Sequence, residues 1–388
     1  MDFELSDDQR ALQEAAGDLL DGYANPREVR AHLTTGQTHD AKLWAAMAEQ
    51  GWMGVTLPDT EGGLGLSWVE AAVLCEAVGR HTAPAPFVPS LLALDALARA
   101  NAGGGTADAA GTARWIESLA SGAAIGCVAW SRDPGAVRVN SDGTLSGRPD
   151  PVQAAASADV AVVWTPGALF AVDLGAAGRP CPEPSVDQTS SLAWIELDRT
   201  AATKIGDAGA AAALLDRGAV ATSAQLLGGA SRVLELSAEY AKDRVQFGHP
   251  IGSFQAVKHR CADMVVDVEG MRSTAWYAAW CLSAATAPAE DGEDGESDGD
   301  GDGDGDGDGD EVHMAASAAK VWCADAAKRV MASGLQVHGG IGFTWEHDLH
   351  FFMKRAQLDQ LTFGDSAFHR ARLTSLLRPR VEAGESVV

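Results

Sequence analysis

Apolar residues recur at helical spacing over the first third of the chain, after sequences that are typical of helix starts. Ser6 and Gln9 have the spacing of a capping box, in which each side chain bonds the backbone of the other residue, and Ser67 and Glu70 repeat that spacing. The apolar residues that follow each pair return every three or four positions. This pattern predicts an all-helical N-terminal domain over residues 1–122.

The pattern changes after residue 122 and changes back near residue 210. Short apolar runs at 158–164 and 168–173, separated by Pro and Gly, are typical of β-strands. Helical periodicity then returns and continues to about residue 377. The sequence therefore predicts an α+β protein with a small middle β-domain over 123–205 and a C-terminal four-helix bundle over 206–388.

One acidic tract interrupts the predicted bundle. The formal net charge of the chain is −25, and 13 acidic residues lie between positions 290 and 311 in a segment dominated by Asp-Gly alternation. Such a segment has little apolar surface to bury and repels itself, so it is predicted to be a disordered insertion. Its regular alternation lacks the spacing of an EF-hand loop, and no metal site is predicted.

Charge and composition also narrow the classes of partner. A strongly negative chain does not attract phosphate backbones, so nucleic-acid binding is disfavoured. The six cysteines are scattered and read as small core residues. No apolar run is long enough for a membrane span, and the first residues lack the pattern of a signal peptide. A cytoplasmic protein without a membrane partner is expected, with small molecules or proteins as its ligands.

Two motifs in the predicted bundle combine groups suited to a dinucleotide. Residues 244–248 read Arg-Val-Gln-Phe-Gly, and residues 336–340 read Gln-Val-His-Gly-Gly. An arginine can hold a pyrophosphate through its fork of donors, and adjacent glycines let the backbone approach a ligand closely. The two motifs together predict a bound dinucleotide cofactor.

The order of the domains and these two motifs resemble the acyl-CoA dehydrogenase family over nearly the whole chain. In that family FAD is held between subunits, a carboxylate removes the α-proton of an acyl-CoA thioester, and the β-hydride passes to the flavin. The resemblance implies the same fold, FAD as cofactor, an acyl-CoA substrate and reoxidation by an electron-transferring flavoprotein.

The half of the FAD site that a neighbouring subunit supplies in this family matches here. The resemblance assigns FAD binding to six residues: Arg244, Gln246, Phe247, Gln336, Gly339 and Gly340. An exposed arginine or a Gly-Gly turn has an ordinary structural explanation when it occurs alone. Their joint occurrence at the family's spacing favours the cofactor interpretation.

The half of the site that a subunit supplies to its own flavin does not match. The family has a Thr-Glu-Pro and a later Gly-Ser-Asp in the β-domain, where residues 130–138 keep only a Pro-Gly and Ser131. Phe363 occupies the family's usual catalytic Glu position, and Asp365 and Ala367 replace its flavin-binding Thr and Gln. This half is predicted to be lost.

Two other carboxylates are candidates for the base. Some family members carry it on the first helix of the C-terminal domain, at a position that falls near Gly218, and Asp216 lies one half-turn earlier. Asp365 lies just past Phe363. The alternative for both is an ordinary role, as a solvated carboxylate or as a helix cap.

These residues support three hypotheses. In the first, the chain resembles the partner-type subunits of heteromeric actinobacterial enzymes for bulky acyl-CoA thioesters such as steroid side chains. It then completes the FAD site of a homologous catalytic subunit, in an α2β2 complex. In the second it is a self-sufficient homo-oligomeric dehydrogenase that uses Asp365 or Asp216. In the third it is a non-catalytic acyl-CoA-binding or scaffold protein, against which Arg244 and Gln336 argue. A flavin monooxygenase of the same fold also lacks the glutamate, but does not require the 244–248 motif.

Overall fold

The N-terminal domain is helical, as predicted. The computed structural model describes residues 4–104, 106–286 and 307–384. Both predicted capping boxes are confirmed, that of Ser6 and Gln9 at the first helix and that of Ser67 and Glu70 at the fourth. The helices are α1 (Asp7–Tyr23), α2 (Pro26–Leu33), α3 (Ala41–Glu49), α4 (Trp68–His81), α5 (Phe87–Ala102) and α6 (Ala109–Ala120).

The middle domain consists of short strands around one longer hairpin. Strands β5 and β6 correspond to the two predicted apolar runs and pair antiparallel, while β1 joins β5 in parallel and β10 joins β6. The elements are β1 (Gly126–Ala129), β2 (Val137–Val139), β3 (Leu145–Gly147), β4 (Val152–Gln153), β5 (Val160–Thr165), β6 (Ala168–Asp173), α7 (Leu174–Ala177), β7 (Pro182–Glu183), β8 (Leu192–Ala193), β9 (Leu197–Thr200) and β10 (Thr203–Asp207). Smaller sheets have the orders β2-β3-β9 and β4-β8-β7.

The C-terminal domain packs long helices around α8. Asp207 ends β10 and caps α8 through a hydrogen bond from the backbone N–H of Ala210, so the predicted boundary between 205 and 206 falls inside the last strand. The elements are α8 (Ala208–Asp243), β11 (Val245–Gln246), β12 (His249–Pro250), α9 (Gln255–Ala284), α10 (Gly307–His338), α11 (Leu349–Asp359) and α12 (Ser366–Ala383). Helix α10 contacts α8, α9 and α12.

The structure describes only part of the acidic insertion predicted over 290–311. Residues 290–306 lie outside the described residues. The segment 307–311 belongs to the first turn of α10, which differs from the predicted disorder. The Tyr277 hydroxyl on α9 donates a 2.6 Å hydrogen bond to Glu311, and this contact ties the start of α10 to its neighbour.

Helix α8 also packs closely against α4 of the N-terminal domain. A Cβ atom on Gly228 of α8 would lie 1.9 Å from the carbonyl oxygen of Glu76, and one on Gly79 of α4 would lie 2.0 Å from that of Gln225. No side chain fits in either space, so the two helices meet backbone to backbone. This contact fixes the N-terminal domain on the bundle.

A buried ion pair joins the middle domain to the bundle. Arg355 of α11 donates from Nε to Asp187 at 2.5 Å and from Nη2 to the Thr189 hydroxyl at 2.7 Å, and all three residues are buried. Removing one member of such a pair leaves a charge without a counter-ion in a poorly solvated place. The position of the β-domain therefore depends on this pair.

Across the described residues, no helix combines the length and apolarity needed to cross a membrane.

We predict that Arg355→Leu lowers the free energy of unfolding by about 3–5 kcal/mol, because the Asp187 carboxylate stays buried without its cation. Urea unfolding followed by circular dichroism measures the change. The matched control is Arg27→Leu, whose ion pair with Glu28 is on the surface and is expected to have no measurable effect. Equal shifts for the two variants would contradict the prediction.

Candidate active site and cofactor-binding surface

The 244–248 motif forms an exposed β-hairpin at the end of α8. Gln246 pairs with His249, and the two loop residues Phe247 and Gly248 both have positive φ, at 53° and 80°. A bulky residue rarely adopts this backbone conformation, and the Phe247 side chain is 91 % exposed. Arg244 and Gln246 are also exposed. Strained, exposed aromatic residues of this kind are typical of binding surfaces.

The Arg244 guanidinium makes no hydrogen bond or ion pair with any residue that the structure describes. Its backbone N–H donates to the Tyr240 carbonyl oxygen at 2.9 Å and ends α8. The side chain is therefore available to an external anion, and its planar fork of donors suits a pyrophosphate.

The 336–340 motif lies where α10 ends. Gln336 is exposed on the last turn, and Gly339 has a φ of 63°, which favours glycine. A Cβ atom on Gly339 or Gly340 would meet no other atom within 4 Å. The backbone here faces open space, as a surface that receives part of a ligand requires.

The two motifs meet through a pair of stacked rings. Tyr240, one turn before Arg244, stacks on His338, which directly precedes Gly339, with ring centroids 4.7 Å apart and planes 24° apart. The six residues that the sequence predicts to bind FAD thus lie in two motifs that are neighbours in the structure. This contact was not predicted, because nothing in the sequence relates Tyr240 to His338.

Further apolar side chains are exposed next to the second motif. Phe343 is 76 % exposed, and Ile341 and Trp345 are also exposed. Large apolar side chains grouped on a surface are typical of a contact with another protein. This surface, with Phe247, is suited to contact a second subunit.

Phe363 is buried between α8 and the β-domain. Its backbone has a positive φ of 57°, and His369 of α12 donates from Nε2 to its carbonyl oxygen at 2.8 Å. Its ring occupies the space above Gly218 of α8, where an added Cβ would lie 2.5 Å from the ring. The ring also lies 6.2 Å from that of Trp130. Phe363 and Gly218 are thus packed directly against each other.

The chain's own cleft is a mainly apolar cavity. It has a volume of about 330 Å³ and is bordered by α5, the β-domain and the loop after α11, with Trp130 and Phe363 in its wall. Among the described residues, Asp150, Gln153 and Thr362 are its polar lining residues, and no Lys or Arg lines it. The cavity can accept an apolar group, but it offers no cation to a pyrophosphate.

Asp216 is buried away from this cavity. Its two carboxylate oxygens accept hydrogen bonds from Arg372 and His313, each at 2.5 Å. Burial raises the pKa of Asp216, but the His313 hydrogen bond and the Arg372 charge outweigh this effect and hold the pKa below its ordinary value. The structure therefore brings Asp216 together with α10 and α12, not with Phe363.

Asp365 is the N-cap of α12, as the alternative reading of this residue predicted. One carboxylate oxygen accepts the backbone N–H of Phe368 at 2.8 Å, and the other accepts from Arg132 at 2.8 Å. Burial raises the pKa of Asp365, but these hydrogen bonds and the Arg132 charge lower it below its ordinary value. A carboxylate held in this way is a weak base.

The buried residues Lys320 and Asp359 lie close together, which the sequence did not predict. Burial raises the pKa of Asp359 and lowers that of Lys320, and the Lys320 ammonium donates to the Asp359 carbonyl oxygen at 2.5 Å. Such shifts are typical of functional sites. However, Asp359 lines a separate cavity of about 20 Å³, which has room for about one water molecule. Neither residue lines the larger cleft beside Phe363. Both residues lie in ordinary helical patterns that carry no signal of the pairing.

Comparisons with known proteins agree with this architecture. The model of the acyl-CoA dehydrogenase N-terminal domain matches residues 6–123, and that of the C-terminal domain matches residues 208–376. The acyl-CoA dehydrogenase IpdE2 of Mycobacterium tuberculosis is 32% identical over 351 residues, which are 90% of this chain and 91% of IpdE2.

Solved structures are similar over almost all of the chain. A chain of the ChsE4-ChsE5 complex from Mycobacterium tuberculosis matches with a TM-score of 0.83 and 26% identity, and the match covers 100% of this chain and 100% of that chain. A variant of the Tcur3481-Tcur3483 steroid ACAD has a TM-score of 0.81 and 27% identity, with 97% of this chain and 99% of that chain covered. The predicted fold is confirmed, and the chain belongs to the acyl-CoA dehydrogenase family, whose members are oxidoreductases that act on CH–CH bonds with FAD as cofactor.

Proposed function

We propose that this chain is the partner-type subunit of a heteromeric acyl-CoA dehydrogenase, which completes the FAD site of a homologous catalytic subunit and has no base of its own. The contact between Phe363 and Gly218 carries the proposal. Each residue stands at a place where the family resemblance puts a catalytic carboxylate, and neither has one. The ring of Phe363 fills the space that a side chain at 218 would need.

The nearby aspartates do not replace the missing base. A general base must come within hydrogen-bonding reach of the proton that it removes. Asp216 is held by Arg372 and His313 outside the lining of the cleft, and Asp365 caps α12 while it pairs with Arg132. Both carboxylates also have a lowered pKa, which weakens them as bases.

The cofactor surface has the opposite character. Arg244 pairs with no carboxylate among the described residues, the backbone of Gly339 and Gly340 is open, and Phe247 and Phe343 are exposed. In the proposed complex Arg244 binds the pyrophosphate of FAD, and Gln246, Phe247, Gln336 and the backbone of Gly339 and Gly340 complete the surface around the cofactor. The flavin, when bound, supplies the acceptor for the substrate hydride.

The similar complexes support the assembly and the substrate class. The ChsE4-ChsE5 structure is described as a complex, and the Tcur3481-Tcur3483 structure as a steroid ACAD. We infer an α2β2 complex that acts on a bulky acyl-CoA such as a steroid side-chain thioester, with an electron-transferring flavoprotein as electron acceptor.

The first test compares the chain expressed alone with the chain co-expressed with a homologous acyl-CoA dehydrogenase subunit of the same organism that has a glutamate at the usual catalytic position. We expect flavin absorbance at about 450 nm only in the co-purified complex, because this chain alone lacks the other half of the site. A yellow, active protein from this chain alone would overturn the proposal. Absence of flavin from both preparations would favour the scaffold hypothesis.

In the complex, Arg244→Ala is expected to weaken FAD binding by about 10–100-fold, since an arginine that binds phosphate directly contributes about 1.5–3 kcal/mol. Fluorescence titration of the apo-complex with FAD measures this loss. The matched control is Arg378→Ala, an exposed arginine of α12, which should leave the affinity unchanged.

The Asp365→Asn variant tests whether Asp365 acts as a catalytic base or only as the N-cap of α12. Asparagine caps helices as well as aspartate does, so α12 should remain stable, whereas loss of a catalytic base costs 10²–10⁴-fold in rate. We expect kcat of the complex to stay within about threefold of the unchanged enzyme. A larger fall with normal thermal stability would support the self-sufficient alternative. Asp216→Asn tests the other candidate base in the same assay.

The packing of Phe363 on Gly218 gives a prediction about stability. Gly218→Ala should lower the free energy of unfolding by about 1–3 kcal/mol, because the new methyl group overlaps the ring. In a Phe363→Leu background the same change should cost clearly less. A double-mutant cycle in urea measures the coupling, and strict additivity would show that the two residues do not compete for one space.

A further inference from the structure

We propose that His338 is a positioning residue for FAD, which fixes Arg244 relative to the Gly339-Gly340 backbone by stacking on Tyr240. This inference rests on the proposed function, because it concerns the same cofactor surface. It assigns a role to two side chains outside the set of six that the surface presents to FAD.

The stack connects segments that are far apart in sequence. Tyr240 precedes Arg244 by one helical turn, and its carbonyl oxygen accepts the Arg244 N–H at 2.9 Å. His338 is the last residue of α10, and Gly339 follows it directly. The ring contact is therefore one turn from the arginine on one side and one residue from the open glycine backbone on the other.

His338 is held firmly enough to act as a fixed support. Its Nδ1 bonds to the Gly334 carbonyl oxygen at 2.8 Å, so Nδ1 carries the proton and the ring plane is set. The ring of His347 packs edge-on against it with centroids 4.5 Å apart. The ring is buried, and burial lowers the pKa of His338, so the imidazole is neutral near pH 7.

His338 acts by keeping the distance between Arg244 and the Gly339-Gly340 backbone constant, and it does not itself contact the cofactor. A pyrophosphate that bonds both Arg244 and nearby backbone N–H groups requires a constant separation between them. Gly334 of α10, about one turn before His338, packs on Val233 of α8. Without the stack, the two helices keep that contact, and only their last turns beyond it become free to shift relative to each other. The expected result is weaker FAD binding by a folded chain.

The test uses the co-purified heteromeric complex, stripped of flavin and titrated with FAD. His338→Leu removes the ring and Tyr240→Leu removes its partner, and each should weaken FAD binding by about 3–10-fold, the range of an aromatic pair. The double variant should be no weaker than the worse single variant. Tyr240→Phe keeps the ring and should bind FAD normally, since the described residues give the Tyr240 hydroxyl no hydrogen bond.

The control for simple destabilisation is Val330→Ala, which shortens a buried side chain two turns earlier in α10. If His338→Leu weakens FAD binding no more than Val330→Ala at an equal loss of melting temperature, the positioning role is wrong. Additive effects of the His338 and Tyr240 variants would also overturn it.

Arg244→Ala separates the two possible failures. If it leaves FAD binding by the complex unchanged, this surface does not bind the cofactor, and the proposed function fails together with the positioning role. If it weakens binding while His338→Leu does not, the proposed function stands and only the positioning role is lost.

Discussion

The structure depends on the backbone contact between α4 and α8. Gly79 and Gly228 leave no room for side chains between the two helices, so their separation is set by backbone atoms, which cannot change rotamer. Helix α8 also carries Gly218 at the cleft and ends at Arg244. Because one rigid helix extends from the cleft to the cofactor surface, both sites have a fixed relation to the N-terminal domain.

The surroundings of the two ends of α8 differ in whether their charged side chains are paired within the chain. Near the cleft, the ring of Phe363 fills the space above Gly218. Asp365 is paired with Arg132, while Asp216, which is buried away from the cavity, is paired with Arg372. At the hairpin, Arg244 has no partner among the described residues and the glycine backbone is open. A chain whose Asp216 and Asp365 carboxylates are paired internally, while Arg244 is not paired with any described residue, is well suited to serve a second subunit.

Much of the fold could be predicted from local signals. Local signals include the capping boxes at Ser6 and Ser67 and the Pro-Gly turn between β5 and β6. Each acts within a few residues, so the sequence alone reveals it. The bounds of helix α2 do not follow from periodicity, because it has eight residues and few apolar positions. The end of β10 at Asp207 was missed, because the same aspartate serves as the helix cap.

The candidate site was predictable where the chain repeats a family motif and not where distant residues meet. The six cofactor residues follow from such motifs and remain a prediction. The pairing of Asp216 with His313 and Arg372, the stack of Tyr240 on His338 and the buried Lys320 and Asp359 all join positions far apart in sequence. Single-sequence periodicity reports which face a residue occupies, but not its partner across the core.

The contact between Phe363 and Gly218 also limits how a carboxylate could be introduced at either position. A glutamate introduced at 363 alone would leave a void above Gly218 and would face an apolar wall, where burial favours the protonated carboxyl. A side chain introduced at 218 alone would collide with the ring. Each position therefore constrains the other: a side chain at 218 requires a smaller residue at 363, and a smaller residue at 363 leaves the space above Gly218 unfilled.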